Sequence, residues 1–195
     1  MKKIGITGGI GSGKTIVSSL FRLFGVPVYI ADEESKRLTV SSPFIRKRLT
    51  DLLGEEVYAG HELNKKYLAS RIFGDSCILK DVNAIIHPEV NRDFMEWCER
   101  QQVSVVATES AILFESGFDA LVDIRLMVHA PLEVRIQRAM NREHALREEV
   151  ERRIRNQMPD ELKKEKSDYV IYNDDKKALI PQVSVFLDAI RNGFL

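Results

Sequence analysis

The sequence predicts an α/β fold: a parallel five-stranded sheet flanked by helices, with a helical insertion and a helical lid. Three observations carry this. Short β-rich runs alternate with longer helical stretches along the 195 residues, the pattern of a sheet with crossover helices rather than a bundle. Positions 33 to 102 hold apolar residues at spacings of three and four with no convincing strand. A glycine-crowded loop separates the first strand from the first helix.

The elements follow in order. Lys3 to Thr7 reads as the first strand and Lys14 to Phe24 as the helix after the glycines. VPVYIAD, Val26 to Asp32, is a second short strand closing on an acid. The segments SPFIRKRLTDLLG, NKKYLASRIFG and HPEVNRDFMEWCERQ then read as helices, with His87 near a helix cap and Pro88 at the first helical position. Phe94, Trp97 and Cys98 form a stripe expected in the core. VSVVATES (103–110) is a continuous apolar run of the kind buried in a parallel sheet. DIRLMVHAP (123–131) is a further strand, ended by a proline that starts the helix EVRIQRAMNR. A charged helical stretch, LREEVERRIRNQMPDELKKEK, precedes the last strand SDYVIYND and the terminal helix KALIPQVSVFLDAIRN. The expected organisation is a core of residues 1–32, 103–137 and 165–195, a helical substrate domain at 33–102, and a lid at 138–164.

Composition excludes some roles. Lys plus Arg number 29 and Asp plus Glu 29, so no global charge draws the chain to nucleic acid or a membrane surface. No apolar stretch approaches a membrane span and no leader is recognisable, so a cytoplasmic protein is expected, monomeric or weakly homo-oligomeric. Cys77 and Cys98 lack the spacing of a zinc site and are expected to be reduced and mostly buried.

The glycines carry the firmest chemical signal. GGIGSGKT, Gly8 to Thr15, matches G-x-x-x-x-G-K-[ST] at every fixed position, after a strand and before a helix. Glycine loses the most backbone entropy on folding, so a cluster of it needs a steric or ligand-based reason. Here backbone N–H groups would wrap a phosphate, the helix N-terminus would add its dipole, Lys14 would reach the terminal phosphates and Thr15 would ligate Mg²⁺. Gly8, Gly9, Gly11, Ser12, Gly13, Lys14, Thr15 and Ile16 are thus the expected nucleotide contacts of a P-loop NTPase fold. Asn64-Lys65-Lys66-Tyr67 lacks the Asp of a guanine motif, and Asp51 to Gly54 gives D-x-x-G only at a helix end, so a regulatory GTPase is disfavoured. A small kinase needs a nucleotide core, an acceptor-holding insertion and a cationic lid, and all three occur in order.

Asp32 ends the second expected strand, where ligands collect in open parallel sheets. It could take the acceptor's proton, or cap the helix EESKRL, and both roles stay open. Glu109 and Glu115 follow the buried strand, where an acid can hold Mg²⁺ through water; taken singly, each reads more readily as a surface acid on the loop. Glu148, Glu149 and Glu151 stand four before Arg152, Arg153 and Arg155, a pattern of local pairs. Arg138 and Arg142 have no acid four positions upstream and read either as lid cations for a transferring phosphoryl group or as an exposed basic face.

With these residues in hand, the chain resembles the dephospho-coenzyme A kinase family over nearly its whole length. TGGIGSGK with Thr15, YIAD at Asp32, NAIIHPEV around His87, ILFESGF around Glu115, DIRLMVHAP, Arg138 and Arg142 as R-x-x-x-R, RIRNQM around Gln157 and SDYVIYND ending near Asn173 match the family's order and spacing. The resemblance implies that ATP, with Mg²⁺, phosphorylates the ribose 3′-hydroxyl of dephospho-coenzyme A. Lys14, Asp32 and Arg142 would be catalytic, Arg138 and Asn173 would join the nucleotide site, and His87, Glu115 and Asp32 the acceptor site. Mg²⁺ would rest on Thr15, with Glu109 or Asp32 through water. The chain departs from the family at Ile30, where D-A-D has its first acid, at Ala111 in place of a proline, and at Glu143 in place of an aspartate. Two other classes compete: a P-loop kinase of another small acceptor, of nucleotide, shikimate or gluconate type, and a non-catalytic nucleotide-binding switch.

Overall fold

The computed structural model describes residues 1–73 and 75–194. In chain order its elements are β1 (Lys2–Thr7), α1 (Lys14–Leu23), β2 (Val28–Ile30), α2 (Ala31–Ser41), α3 (Pro43–Leu53), β3 (Tyr58–Ala59), β4 (Glu62–Leu63), α4 (Lys65–Ile72) and α5 (Ser76–Glu99). There follow β5 (Val105–Glu109), β6 (Ile124–His129), α6 (Leu132–Glu143), α7 (Arg147–Arg155), α8 (Asp160–Glu165), β7 (Tyr169–Tyr172) and α9 (Leu179–Arg191). The chain divides into two compact units, Met1–Ile30 with Gln101–Leu195, and Ala31–Arg100.

The first unit holds the five-stranded sheet, in the order β2-β5-β1-β6-β7 with every pairing parallel. Register sets Ile4 beside Ala107 and Ile124, and Ile6 beside Glu109 and Leu126. A parallel sheet needs cover on both faces, and β5 is accordingly buried at every position. Its core gathers Ile4, Ile6, Val128 and Ile171 from the strands with Val17 and Phe21 of α1 and Val183 and Phe186 of α9. Phe21 and Phe186 meet at 6.0 Å between ring centroids, and Tyr169 meets Phe186 at 4.8 Å. Phe21 and Phe186, both fully buried, each contribute about 1.5–3 kcal/mol of transfer free energy. Strand order reverses direction at β1, so the crevice of this sheet opens at the glycine loop after β1.

The second unit is helical with one addition. The expectation of a strand-free insertion is corrected by the hairpin β3–β4, which pairs Tyr58 with Leu63 and Ala59 with Glu62 around Gly60 at φ 62°. Two-residue strands are too short to display a period. Arg46 holds them instead: its guanidinium lies 4.3 Å from the Tyr58 ring centroid and donates to the Gly60 carbonyl. The Tyr58 hydroxyl donates to the Thr39 carbonyl at 2.7 Å.

His87-Pro88 does not start a helix. α5 begins at Ser76, capped by Asp75, whose side chain accepts from the N–H groups of Cys77 and Ile78, and Pro88 lies within it. A proline removes one helical hydrogen bond, yet the buried stripe Val82, Ile85, Ile86, Val90, Phe94 and Cys98 runs along α5 on both sides of Pro88. Cys98 is buried as expected, whereas Cys77 at the first turn is exposed; neither forms a disulfide among the described residues. No described helix is long and apolar enough to cross a membrane.

Burial lowers the pKa of His87 below its ordinary 6.5. As pH falls through that value the unfolded chain binds a proton before the folded chain does, so stability declines toward acid. Denaturant midpoints measured between about pH 7 and about pH 5 should therefore fall more steeply for the unaltered protein than for His87→Asn. Equal slopes would count against a half-buried, neutral His87.

Candidate functional site

The site is built on the turn between β1 and α1. Gly13 stands just before α1 at φ 93°, and a Cβ on it would lie 2.1 Å from the Asn173 amide nitrogen. Gly11 has φ 78°, and its Cβ would lie 2.2 Å from the Arg135 carbonyl oxygen. Both positions need glycine twice over, for the left-handed backbone and for close approach of neighbouring chain. The glycines therefore serve the packing of the loop as well as any ligand it wraps.

Around this turn the structure gathers several expected residues. A cleft of about 450 Å³ is lined by Gly11, Gly13, Lys14, Thr15 and Ile16 from the loop and α1, and by Arg138 and Arg142 from α6. Lys14 Nζ donates to the Gly8 carbonyl at 2.8 Å and to that of Gly9 at 3.3 Å, which fixes the ammonium against the loop. Asn173, at the end of β7, donates from Nδ2 to the Ser12 carbonyl at 2.8 Å and accepts on its own carbonyl from Arg138 Nη1 at 3.1 Å. Asn173 thus braces the loop and orients Arg138.

The arginines are not a stripe without acids. Arg138 pairs with Asp175 at 2.6 Å, and Arg142 pairs with Glu143 next to it. Neither acid stands four positions upstream, so local spacing could not reveal them. Arg142 is the more open, with 62% of its side chain exposed at the last turn of α6. Of the three expected Glu–Arg pairs, only Glu151 with Arg155 is found among the described residues, at 3.9 Å, while Arg153 meets Glu143. Two arginines hold the Glu143 carboxyl below its usual range, Arg153 more strongly than Arg142. Such exposed pairs add little stability.

Among the candidate acids, Glu109 is the one beside the loop. It ends β5 and is buried; Thr15 Oγ1 donates to its Oε1 at 3.2 Å, and its Oε2 has no partner among the described residues. A buried carboxylate oxygen without a partner beside a hydroxyl is a hard-oxygen donor set that suits Mg²⁺. Glu115 has another engagement: its Oε1 accepts from the Met158 N–H at 2.8 Å and lies 3.2 Å from Lys163 Nζ. Asp32 neither ends a strand nor caps a helix, since β2 stops at Ile30 and α2 begins at Ala31. It lies in the first turn of α2, in the second unit, where its charge suits the helix dipole. His87 also belongs to the second unit.

Lys163 gives no signal in the sequence. It is fully buried in α8 while Leu162 before it is exposed, the reverse of what hydropathy predicts. Its ammonium donates to the Ala111 carbonyl at 2.7 Å and pairs with Glu115. Gln157, within the RIRNQM motif, accepts from the Ile10 N–H at 3.1 Å.

Parallel strand order, a glycine loop at the switch point and two arginines over it define a small P-loop kinase. The model of the dephospho-CoA kinase family matches residues 2–178, and the chain belongs to that family. A curated dephospho-CoA kinase from Bacteroides fragilis is 52% identical over 182 residues, 93% of this chain and 89% of the relative. One from Porphyromonas gingivalis is 41% identical over 192 residues, 98% of this chain and 95% of that protein. The crystal structure of a Thermus thermophilus protein superposes with a TM-score of 0.84 at 36% identity, covering all of this chain and 98% of that one.

Proposed function

We propose that the protein phosphorylates the ribose 3′-hydroxyl of dephospho-coenzyme A at the expense of ATP, giving coenzyme A and ADP, the last step of coenzyme A synthesis. The observation that carries this reading is the cleft that joins Gly11, Gly13, Lys14 and Thr15 to Arg138 and Arg142, in a chain of the dephospho-CoA kinase family.

The loop N–H groups and Lys14 hold the β- and γ-phosphates, and Arg138, oriented by Asn173 and Asp175, bears on the nucleotide from α6. Thr15 and Glu109 are the residues that would hold Mg²⁺, which would supply neutralisation of phosphate charge. The acceptor's 3′-oxygen forms a bond to the γ-phosphorus as the bond from that phosphorus to the ADP oxygen breaks. Asp32 orients the hydroxyl and takes its proton late in a loose transition state, and Arg142 neutralises charge on the transferring group. The helical unit 31–100 holds the acceptor, with His87 and Glu115 as further candidate contacts, and residues 138–164 act as the lid.

Incubation with Mg-ATP and a panel of acceptors, with products weighed by mass spectrometry, tests the assignment. Gain of one phosphoryl group on dephospho-coenzyme A supports it; gain on shikimate, gluconate or a nucleotide instead would refute it.

The metal assignment has its own test. Glu109→Gln keeps an acceptor for Thr15 Oγ1 but removes the charge. The Mg²⁺ concentration for half-maximal activity should rise about 10- to 100-fold, with melting temperature little changed. Unaltered Mg²⁺ dependence would remove Glu109 from the metal.

A further inference from the structure

Arg135 is the least expected residue near the loop: a charged side chain at the first turns of α6 that is only 4% exposed. Its Nη1 donates to Asp160 Oδ1 of α8 at 3.0 Å, and its Nε is buried with no partner among the described residues. The guanidinium lies where Gly9 has no side chain: a Cβ built there would fall 1.4 Å from Arg135 Nη1 and 3.1 Å from Asp160 Oδ1. The Arg135 carbonyl meanwhile closes against Gly11. One residue thus presses on the glycine loop at two points, with its charge balanced by Asp160.

The chain around Asp160 is fastened on both sides. Gln157 takes the Ile10 N–H, Met158 donates to Glu115, and Lys163 binds the Ala111 carbonyl and Glu115. Ile10 also packs into the small apolar cluster of Ile136, Ala139 and Val150 contributed by α6 and α7. Residues 157–163 therefore tie the loop after β1 to the loop after β5, and Arg135 with Asp160 is the tie nearest the phosphate-wrapping backbone. A buried pair is weak evidence for stability, because removing it from water costs much of what its attraction returns. Its closeness to Gly9 and Gly11 gives it a second use, setting the direction of the loop N–H groups.

We propose that Arg135 and Asp160 are positioning residues for nucleotide binding, holding the glycine loop in its phosphate-accepting form from the side of the lid. The proposal rests on the assignment of that loop to ATP. It predicts that affinity for ATP and stability separate in variants. Arg135→Met should lower the melting temperature and raise the Kd for Mg-ATP about tenfold or more, since small misplacements of a binding backbone are costly. Arg135→Met combined with Asp160→Leu replaces both charges by apolar groups and should recover melting temperature while the raised Kd persists. Arg135→Lys, which keeps the charge beside Asp160 but not the guanidinium over Gly9, should fold well and still bind ATP more weakly. KM for dephospho-coenzyme A should stay within about twofold throughout.

Calorimetric titration with Mg-ATP alongside thermal melts decides the matter. Recovery of affinity together with stability in the double variant, or unaltered affinity in Arg135→Lys, would overturn the proposal. Absence of ATP binding by the unaltered protein would instead remove the functional assignment beneath it.

Discussion

Asp32→Asn is expected to lower kcat by at least about 100-fold while leaving nucleotide affinity nearly unchanged. The amide has the size of the carboxylate and can still orient a hydroxyl, but it cannot take the proton that leaves the acceptor oxygen. Because α2 begins at Ala31, Asp32 is carried on a helix that follows β2 directly in the chain. The competing account makes its charge one of three acids, with Glu33 and Glu34, that suit the first turn of α2. Loss of one such charge would cost only a few tenths of a kcal/mol of stability and no turnover. Steady-state kinetics beside a thermal melt separates the two: near-normal kcat with a small loss of stability would leave Asp32 a purely structural acid.

Arg142→Ala is expected to depress kcat about 100-fold or more and to weaken Mg-ATP binding far less. Its side chain is 62% exposed and its partner is the adjacent Glu143, whereas Arg138 is tied to Asn173 and Asp175. A guanidinium so lightly held at the end of α6 can move onto developing charge, and an interaction made mainly in the transition state appears in kcat. Equal losses in kcat and nucleotide affinity would mark Arg142 as a ground-state contact. Glu143 bears on the same point. It engages both Arg142 and Arg153, so Arg142 sits within a local network of surface charge.

Much of this was legible in the sequence, for physical reasons that differ by element. VSVVATES could be read as a buried strand because a parallel strand covered on both faces needs an unbroken apolar run, and Val105–Glu109 is buried throughout. The glycine loop could be read because phosphate wrapping fixes glycine, lysine and hydroxyl at set intervals. β3–β4 could not, since its closure depends on Arg46 reaching the Tyr58 ring from α3. Pro88 misled because the local rule that proline opens a helix gave way to a stripe buried along all of α5. The partners of Arg135 and Arg138 stand 25 and 37 positions away, beyond any spacing rule. Lys163 was hidden for the opposite reason, because its burial contradicts its hydropathy and follows from a single carbonyl and a single acid.

The glycine loop also takes on a wider meaning. Gly9, Gly11 and Gly13 are pressed by Arg135 and Asn173, so the turn that would wrap phosphate is itself wrapped by protein. A substitution at any of these glycines would act through neighbouring chain as well as through the ligand.

The position of the new phosphate is the most direct readout of the reaction. Dephospho-coenzyme A incubated with the protein and Mg-ATP should give a product whose added phosphorus couples to the ribose H3′ in a phosphorus–proton NMR correlation. Coupling to H2′, or release of inorganic phosphate with the acceptor unaltered, would contradict it.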